Sequence, residues 1–156
     1  MAQASTAKAK TQSPDALALL EADHDLVQDL FEKFEKAKTD KQKSTLAEQI
    51  CTELTIHAQI EEEIFYPAVR EAIGEEDLMD EAEVEHAGAK DLIAQIEASE
   101  PGEEKFDAKV TVLGEYIKHH VEEEHTEMFP KVRKADLDLD ELGEAMSLRK
   151  AELQAE

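Results

Sequence analysis

The sequence predicts an all-α protein: an antiparallel up-down bundle of four helices with a pseudo-two-fold internal repeat, followed by a short C-terminal helix. The first observation is composition, because the chain contains only 5 Gly, 4 Pro and no Trp and is dominated by residues that favour helices. The second is that apolar residues recur at helical spacing over four long stretches with short loops, which is typical of antiparallel helices. The third is that the second half repeats the first about 62 residues later.

Length, charge and cysteine content limit the class of protein. A chain of 156 residues corresponds to one domain. The formal net charge of −22 disfavours binding to nucleic acid, whose phosphates require Lys and Arg, and to anionic membrane surfaces. No stretch approaches the roughly 18 apolar residues of a membrane-spanning helix, and the N-terminus lacks the apolar segment of a secretory signal. Since Cys51 is the only cysteine, we expect a protein of the reducing cytoplasm.

The N-terminal region is expected to be a tail followed by one helix. Residues 1–12 are predicted to be disordered. Ser13 is the expected N-cap of the first helix, with Pro14 at the first helical position and an acidic residue after it. This helix should end near Ala37.

The second helix carries signals at both ends. Thr39 and Gln42 resemble a capping box that opens it. Pro67 should kink or end the helix, because proline lacks an N–H group and clashes with the preceding turn. Gly74 is the natural C-terminal stop.

The second half of the chain is predicted to contain three more helices. A turn at Ser99–Gly102 separates the third from the fourth, and the fifth should pack against the outside of the bundle. Their predicted extents are 77–98, 104 to Pro130 or just beyond, and 138–154. The expected organisation is therefore a tail (1–12), a four-helix bundle (13–136) and a packed C-terminal helix (137–156).

The internal repeat places histidine and glutamate at matching positions. Residues 57–72 and 120–135 align without gaps and share a His that is followed four residues later by a Glu. Residues 21–35 and 83–97 align in the same way and share a His. Each half thus supplies one lone His and one His-x-x-x-Glu pair, and the six residues are His24, His57, Glu61, His86, His120 and Glu124.

This set of side chains predicts a two-metal site. Residues i and i+4 lie on the same face of a helix, and helical arithmetic puts all six inside the apolar stripes. A lone buried His is usually an ordinary core residue. Four histidines and two carboxylates without a cation, however, would cost several kcal/mol in desolvation and repulsion. Imidazole with carboxylate suits iron, zinc or manganese, and each carboxylate has two oxygens with which to bridge two ions.

The other polar residues near these stripes are expected to have smaller roles. The same arithmetic directs His119 and His125 away from the core, toward a solvated face. Tyr66 and Tyr116 are interpreted as core or rim residues and not as redox tyrosines. Glu62, Glu63 and Glu122 are expected to be solvated, and Glu123 lies nearer the edge of the inner face. Glu127 falls inward, where it would support a ligand or line the mouth of the site.

The arrangement resembles the hemerythrin-like, HHE cation-binding family over about residues 15–135. The resemblance rests on a His in the first and third helices and on the doubled H-x-x-x-E in the second and fourth. It implies a four-helix bundle around a non-heme di-iron centre. Two iron ions, oxo- or hydroxo-bridged, would be held by His24, His57, Glu61, His86, His120 and Glu124.

The chain departs from the oxygen-carrier pattern of that family on the third helix. Those proteins carry two histidines one turn apart, whereas Lys90 follows His86 by one turn and Ala82 precedes it. One iron would then lack an imidazole, and the six residues include no proton donor for a bound oxidant. These differences favour reaction with oxygen, peroxide or nitric oxide over reversible transport.

The leading functional hypothesis is a non-heme di-iron protein that binds or reacts with a small oxidant (O2, H2O2 or NO) in oxidative or nitrosative stress handling. Catalase-like consumption of peroxide is one form of it. A sensor of oxygen or NO, or an iron-holding module without catalysis, is the alternative. Glu21 and Glu83, each three residues before a His, also resemble part of a ferritin-like carboxylate set. A metal-free or zinc-stapled helical interaction module is the remaining class.

Overall fold

The computed structural model describes residues 13–156, and this part of the chain is helical with no strand. The all-α prediction is therefore confirmed, while the predicted tail, residues 1–12, lies outside the described residues. Seven α-helices and two short π-helical segments follow one another along the chain: α1 (Ala16–Lys36), α2 (Asp40–Ile60), π1 (Glu61–Phe65), α3 (Tyr66–Ile73), α4 (Glu76–Glu97), α5 (Phe106–Glu123), π2 (Glu124–Met128), α6 (Phe129–Lys134) and α7 (Leu139–Ala155).

The helix ends follow the predicted signals with one exception. The Thr39 hydroxyl accepts a hydrogen bond from the Gln42 amide (3.1 Å), and the Gln42 side chain accepts one from the Thr39 amide (3.2 Å), so the capping box is confirmed. Gly74 ends α3 with φ +64°. The exception is the first N-cap, which is Asp15 instead of Ser13. The Asp15 carboxylate accepts from the Ala18 amide at 2.8 Å, as short acidic side chains in extended backbone commonly do.

The helices continue past Pro67 and Pro130, and each proline follows a wider π-helical turn. Each π segment directly precedes a proline-containing helix start, and the amides of Tyr66 and Phe129 bond to the carbonyls of Glu61 and Glu124, five residues back. A π turn relieves the clash that a proline ring would make with the preceding α-helical turn. The helical path therefore continues past Pro67 to Ile73, so that Pro67 does not end the helix, which was one of the two outcomes predicted for it.

The helices surround a layer of buried polar residues that separates two apolar clusters. α1 packs against α2 and α5, α4 packs against the same two helices, and α7 packs across α1 and α2. The first cluster includes Leu20, Phe65 and Met146 of α7, and the second includes Leu54 and Leu113. The C-terminal helix α7 thus buries Met146 against the first cluster. Across residues 13–156 no helix is long and apolar enough to cross a membrane.

Candidate metal centre

All six predicted ligand residues lie in the buried polar layer. The carboxylates are the most deeply buried, with 0% of Glu61 and 1% of Glu124 exposed. The four histidines are buried as well. Buried carboxylates are rare unless they are paired with cations or bind metals. The two carboxylates of this layer therefore require a compensating positive charge.

The six residues form two ligand sets that share the carboxylates. In the first ligand set, His24 Nε2 lies 3.2 Å from one oxygen of Glu124, and His57 Nε2 lies 3.4 Å from one oxygen of Glu61. The donor atoms of this set all lie within 4.8 Å of one another.

The second ligand set uses the other oxygens of the same two carboxylates. His86 Nε2 lies 3.0 Å from Glu61 Oε1, and His120 Nε2 lies 3.2 Å from Glu124 Oε2. Donor atoms of Glu61, His86 and His120 lie within 4.8 Å of one another. Glu61 and Glu124 thus each face both sets, which is the geometry of bridging ligands.

The hydrogen bonding of these atoms fits a metal in the first ligand set. Among residues 13–156, four buried side-chain atoms have no hydrogen-bond partner, namely Nε2 of His24 and His57, Oε2 of Glu61 and Oε1 of Glu124. They are one donor atom from each residue of that set. Unsatisfied buried polar atoms are costly and rare, and a cation bonded to all four would satisfy them together.

Every histidine of the two sets is anchored through its other ring nitrogen. The Nδ1 atoms of His24, His57, His86 and His120 lie 3.1, 2.9, 2.7 and 2.5 Å from His125, Asp23, Glu62 and Glu85, respectively. Such partners fix the ring orientation and the tautomer of metal-binding histidines. All four Nε2 atoms therefore point toward the shared carboxylates.

Two lysines hold the acidic partners in place. Lys150 of α7 approaches the other oxygen of Asp23 at 2.5 Å, and Lys90 approaches the other oxygen of Glu62 at 2.6 Å. Lys90 is 54% exposed and thus lies at the edge of the site. The C-terminal helix contributes directly to the surroundings of His57 through Lys150 and Asp23.

Tyr66 is a core residue, as the sequence predicted, but its hydroxyl also reaches the site. Its hydroxyl donates to Glu124 Oε2 at 2.6 Å and lies 3.2 Å from Glu61 Oε1, His86 Nε2 and His120 Nε2. The hydroxyl therefore lies at the middle of the second ligand set, as a proton donor or a fifth ligand atom. The six ligand candidates include no such donor, and Tyr66 supplies one from outside that set.

In the metal-free chain the imidazoles and carboxylates compensate one another. Burial lowers the pKa of His57, but Glu61 and Asp23 outweigh it and raise that pKa to about 10. Burial lowers the pKa of His120 in the same way, and Glu124 with other carboxylates raises it to about 11. Burial raises the pKa of Glu124, yet the His120 imidazole and its neighbours bring it well below its usual range. Protons thus supply the positive charge, and an entering metal ion must displace them.

Several residues lie differently from the sequence-based expectations. Glu62 is half-buried and holds His86, and His125, though exposed, contacts His24. Both had been expected on a solvated face, and for His125 the predicted exposure is confirmed, with the contact to His24 in addition. His119 is exposed as predicted, with contacts to Glu123 at 3.3 Å and to Glu85 at 3.7 Å.

The two glutamates of the ferritin-like alternative do not reach the site. Glu21 pairs with Arg133 at 3.2 Å, and Glu83 pairs with Arg70 at 2.9 Å. Both carboxylates are exposed by more than a third of their side-chain surface. These ion pairs occupy equivalent positions in the two repeats, where they link helices at the surface.

Comparisons with known proteins confirm the family resemblance. Residues 15–132 match the hemerythrin HHE cation-binding domain. The crystal structure of a hemerythrin HHE cation-binding domain-containing protein from Mycobacterium kansasii matches with a TM-score of 0.78 at 25% identity, covering 91% of this chain and 88% of that one. A curated protein from Nostoc, named DNA nickase, is 29% identical over 115 residues, which are 74% of this chain but only 32% of that protein. The chain thus spans about a third of the length of that relative.

Proposed function

This chain belongs to the hemerythrin HHE cation-binding domain family, and we propose that it is a non-heme di-iron protein that binds or reacts with a small oxidant: O2, H2O2 or NO. One observation carries the proposal. Four histidines are each anchored through Nδ1 and direct Nε2 at two fully buried carboxylates. Imidazole and carboxylate together suit iron, and two shared carboxylates suit a pair of ions.

The protein's own side chains would divide the work of such a centre. Iron, when bound, supplies Lewis acidity and one-electron chemistry. Glu61 and Glu124 would each contact both ions. The anchored histidines would hold the ions in the polar layer between the two apolar clusters. Tyr66 keeps its proton in the metal-free chain, because burial and the adjacent carboxylates, first Glu124 and then Glu61, raise its pKa well above the ordinary value. Its Oη lies beside the second ligand set and holds a proton that could be donated to a ligand bound there.

The finer architecture belongs to the same proposal. α1 and α4 pass from the first apolar cluster through the polar layer to the second, while α2 and α5 pass in the opposite order. This alternation supports an antiparallel up-down bundle of 13–136 with a pseudo-two-fold axis between the ligand sets and 137–156 packed outside.

We also propose that the ligand is a small molecule and that the protein is located in the cytoplasm. The buried Cys51 thiol, whose pKa burial and Glu97 raise to about 12, fits a structural role.

The name of the Nostoc relative does not extend to this chain. Two thirds of that protein lie outside the matched region, and a net charge of −22 opposes contact with phosphates. We therefore propose no activity on DNA.

The test begins with metal content. We expect two irons per chain and near-ultraviolet absorption of the oxidised protein, and one metal or none would contradict the bridging arrangement. Zinc instead of iron would favour a stapled interaction module.

Reduction without oxygen, followed by O2, NO or H2O2 in separate samples, then compares reaction with binding. Peroxide turnover above that of free iron supports a catalase-like activity, whereas a reversible spectral change without turnover supports a sensor. The adjacent histidines give a matched control, because His120→Ala should remove both responses and His119→Ala, on the exposed face, should leave them unchanged.

A further inference from the structure

A third group of metal-ligating side chains lies at the surface between α4 and α5, outside the two ligand sets. His119 and Glu123 stand four residues apart on one face of α5. They form another His-x-x-x-Glu pair, displaced by one residue from His120 and Glu124. Glu85 of α4 faces this pair, and one donor atom from each of the three residues lies within 4.8 Å of the other two. We call His119, Glu123 and Glu85 the outer cluster.

The distances within the outer cluster fit one small metal ion. His119 Nε2 lies 3.3 Å from Glu123 Oε2 and 3.7 Å from Glu85 Oε2. Ions such as zinc bind nitrogen and oxygen ligands at about 2.0–2.2 Å, which places tetrahedral neighbours about 3.4 Å apart. The atom of Glu85 that holds His120 is the other oxygen, Oε1. The outer cluster therefore shares no donor atom with either ligand set.

The internal repeat places a cation at the matching position of the first half. Asp23 is the equivalent of Glu85, and the ammonium group of Lys150 binds its second oxygen. Among residues 13–156, Glu85 pairs with histidines and with no Lys or Arg, and the Glu123 carboxylate is its hydrogen-bonding neighbour. Two adjacent carboxylates repel each other unless positive charge or a proton compensates them. A metal ion in the outer cluster would supply at Glu85 the charge that Lys150 supplies at Asp23.

The other two ligand positions differ between the halves in the same sense. Ile56 and Ile60 are the equivalents of His119 and Glu123, and both are buried in the first apolar cluster together with Met146 of α7. The side chain of His119 is instead 62% exposed. An apolar face covered by the C-terminal helix in one half is thus an open face with metal ligands in the other.

We propose that the outer cluster is a third cation site, separate from the di-iron centre, which takes one divalent transition-metal ion from solvent. One imidazole nitrogen with two carboxylate oxygens suits zinc, manganese or ferrous iron. Its remaining coordination positions face solvent, so the ion exchanges freely and is held more weakly than ions in the buried layer. It contacts none of the donor atoms of the two ligand sets, and the responses to oxidants therefore do not require it.

The test is calorimetric titration of zinc into the full-length, iron-loaded protein after desalting. We expect one zinc per chain in addition to the irons, and no zinc binding His119→Ala at that affinity. Glu123→Gln should weaken binding at least as much as loss of a ligand's hydrogen-bonding partner does, by about 10- to 100-fold. Glu122→Gln removes the charge of the adjacent, exposed glutamate and is the matched control, with unchanged binding. If the cluster is only an ion pair between His119 and two carboxylates, the unmodified chain binds no additional zinc and the proposal is overturned.

Anomalous diffraction at the zinc edge, from crystals soaked in the same ion, locates the bound zinc. A peak between His119 Nε2 and the Glu85 carboxylate supports the proposal, and zinc bound only elsewhere on this acidic surface overturns it. Iron is counted on the same samples. Zinc at the outer cluster of a chain without two irons supports the third site and contradicts the proposed function, whereas two irons without this zinc peak do the reverse.

Discussion

The two ligand sets use equivalent residues of the repeat but differ in what surrounds them. Tyr66 and Phe129 occupy equivalent positions, yet Tyr66 places a hydroxyl among the donor atoms of the second set, whereas Phe129 stacks beside His24 of the first with ring centres 6.3 Å apart. The repeat therefore conserves the ligands within the chain and varies their neighbours. Two metals held here would have equal protein donors but unequal surroundings.

The anchoring residues show the same mixture of repetition and difference. Asp23 and Glu85 occupy equivalent positions in the repeat. Each holds the histidine of the His-x-x-x-Glu pair on the next helix, which is His57 for Asp23 and His120 for Glu85. Lys150 neutralises Asp23. Glu85 has instead Glu123 as a hydrogen-bonding neighbour, which raises the pKa of the Glu123 carboxyl. Asp23 thus has a cationic neighbour from α7, whereas the equivalent Glu85 has an acidic one.

The largest expected effect comes from the carboxylates that both sets share. Glu61→Gln and Glu124→Gln should each remove both metals, because each residue contacts histidines of the two sets. Elemental analysis of iron per chain measures this. Glu122→Gln, at an exposed position one turn from the site, is the control and should retain both metals. Retention of one iron in Glu61→Gln would mean that the sets are independent.

Tyr66→Phe places a phenylalanine beside the second ligand set, as Phe129 already lies beside the first. It should weaken metal binding at the second set by about 10- to 100-fold and remove any visible absorption that arises from a phenolate on ferric iron. Tyr116→Phe removes the other tyrosine hydroxyl and should change neither. An unchanged spectrum and affinity in Tyr66→Phe would show that the hydroxyl only packs in the core.

Lys150→Met tests the lysine that supports Asp23 of the first set and has no counterpart at Glu85 of the second. Without the lysine, Asp23 keeps its bond to His57 but loses its fixed position, and we expect about a tenfold loss of metal affinity at the first set. Arg149→Met is the matched control, because Arg149 pairs with Glu63 on the surface at 2.8 Å. Metal titration followed by absorbance distinguishes the two sets. Equal losses in both variants would assign the effect to the stability of α7.

The ligand residues that the sequence located correctly are those that precede or open the irregular π segments. His57 with Glu61 and His120 with Glu124 precede or open the π segments, so spacing at roughly 100° per residue located them correctly. Tyr66 and His125 come after the widened turn begins, which shifts the face of every later residue. Regular arithmetic therefore directed His125 to a solvated face, and the interpretation of Tyr66 as a core or rim residue did not place its hydroxyl among the ligands. A proline shortly after each H-x-x-x-E pair was the available signal.

The anchoring partners could not be predicted for a different reason. Asp23 and Glu85 directly precede a ligand histidine, and on a helix such neighbours point about 100° apart. Each carboxylate therefore points away from the histidine beside it in sequence and contacts a histidine on the adjacent helix. That contact depends on how the helices pack. Lys150 is more remote still, since it reaches Asp23 across a separate helix. The repeat identified the fold class and the six ligand candidates, whereas these contacts required the tertiary structure.

The smallest expected effect concerns the metal-free protein and acts on both sets. The pKa values of His57 and His120 rise from the ordinary 6.5 to about 10 and about 11 on folding. A raised folded-state pKa contributes stability that is complete below the unfolded pKa and is lost as pH rises through the folded value. The urea midpoint of the metal-stripped chain should therefore fall between about pH 7 and pH 10. Metal-loaded protein should lose less, because metal replaces those protons. Asp23→Asn and Glu85→Gln should each reduce the fall, through His57 and His120 respectively, and a midpoint that rises with pH would contradict the protonated form of both sets.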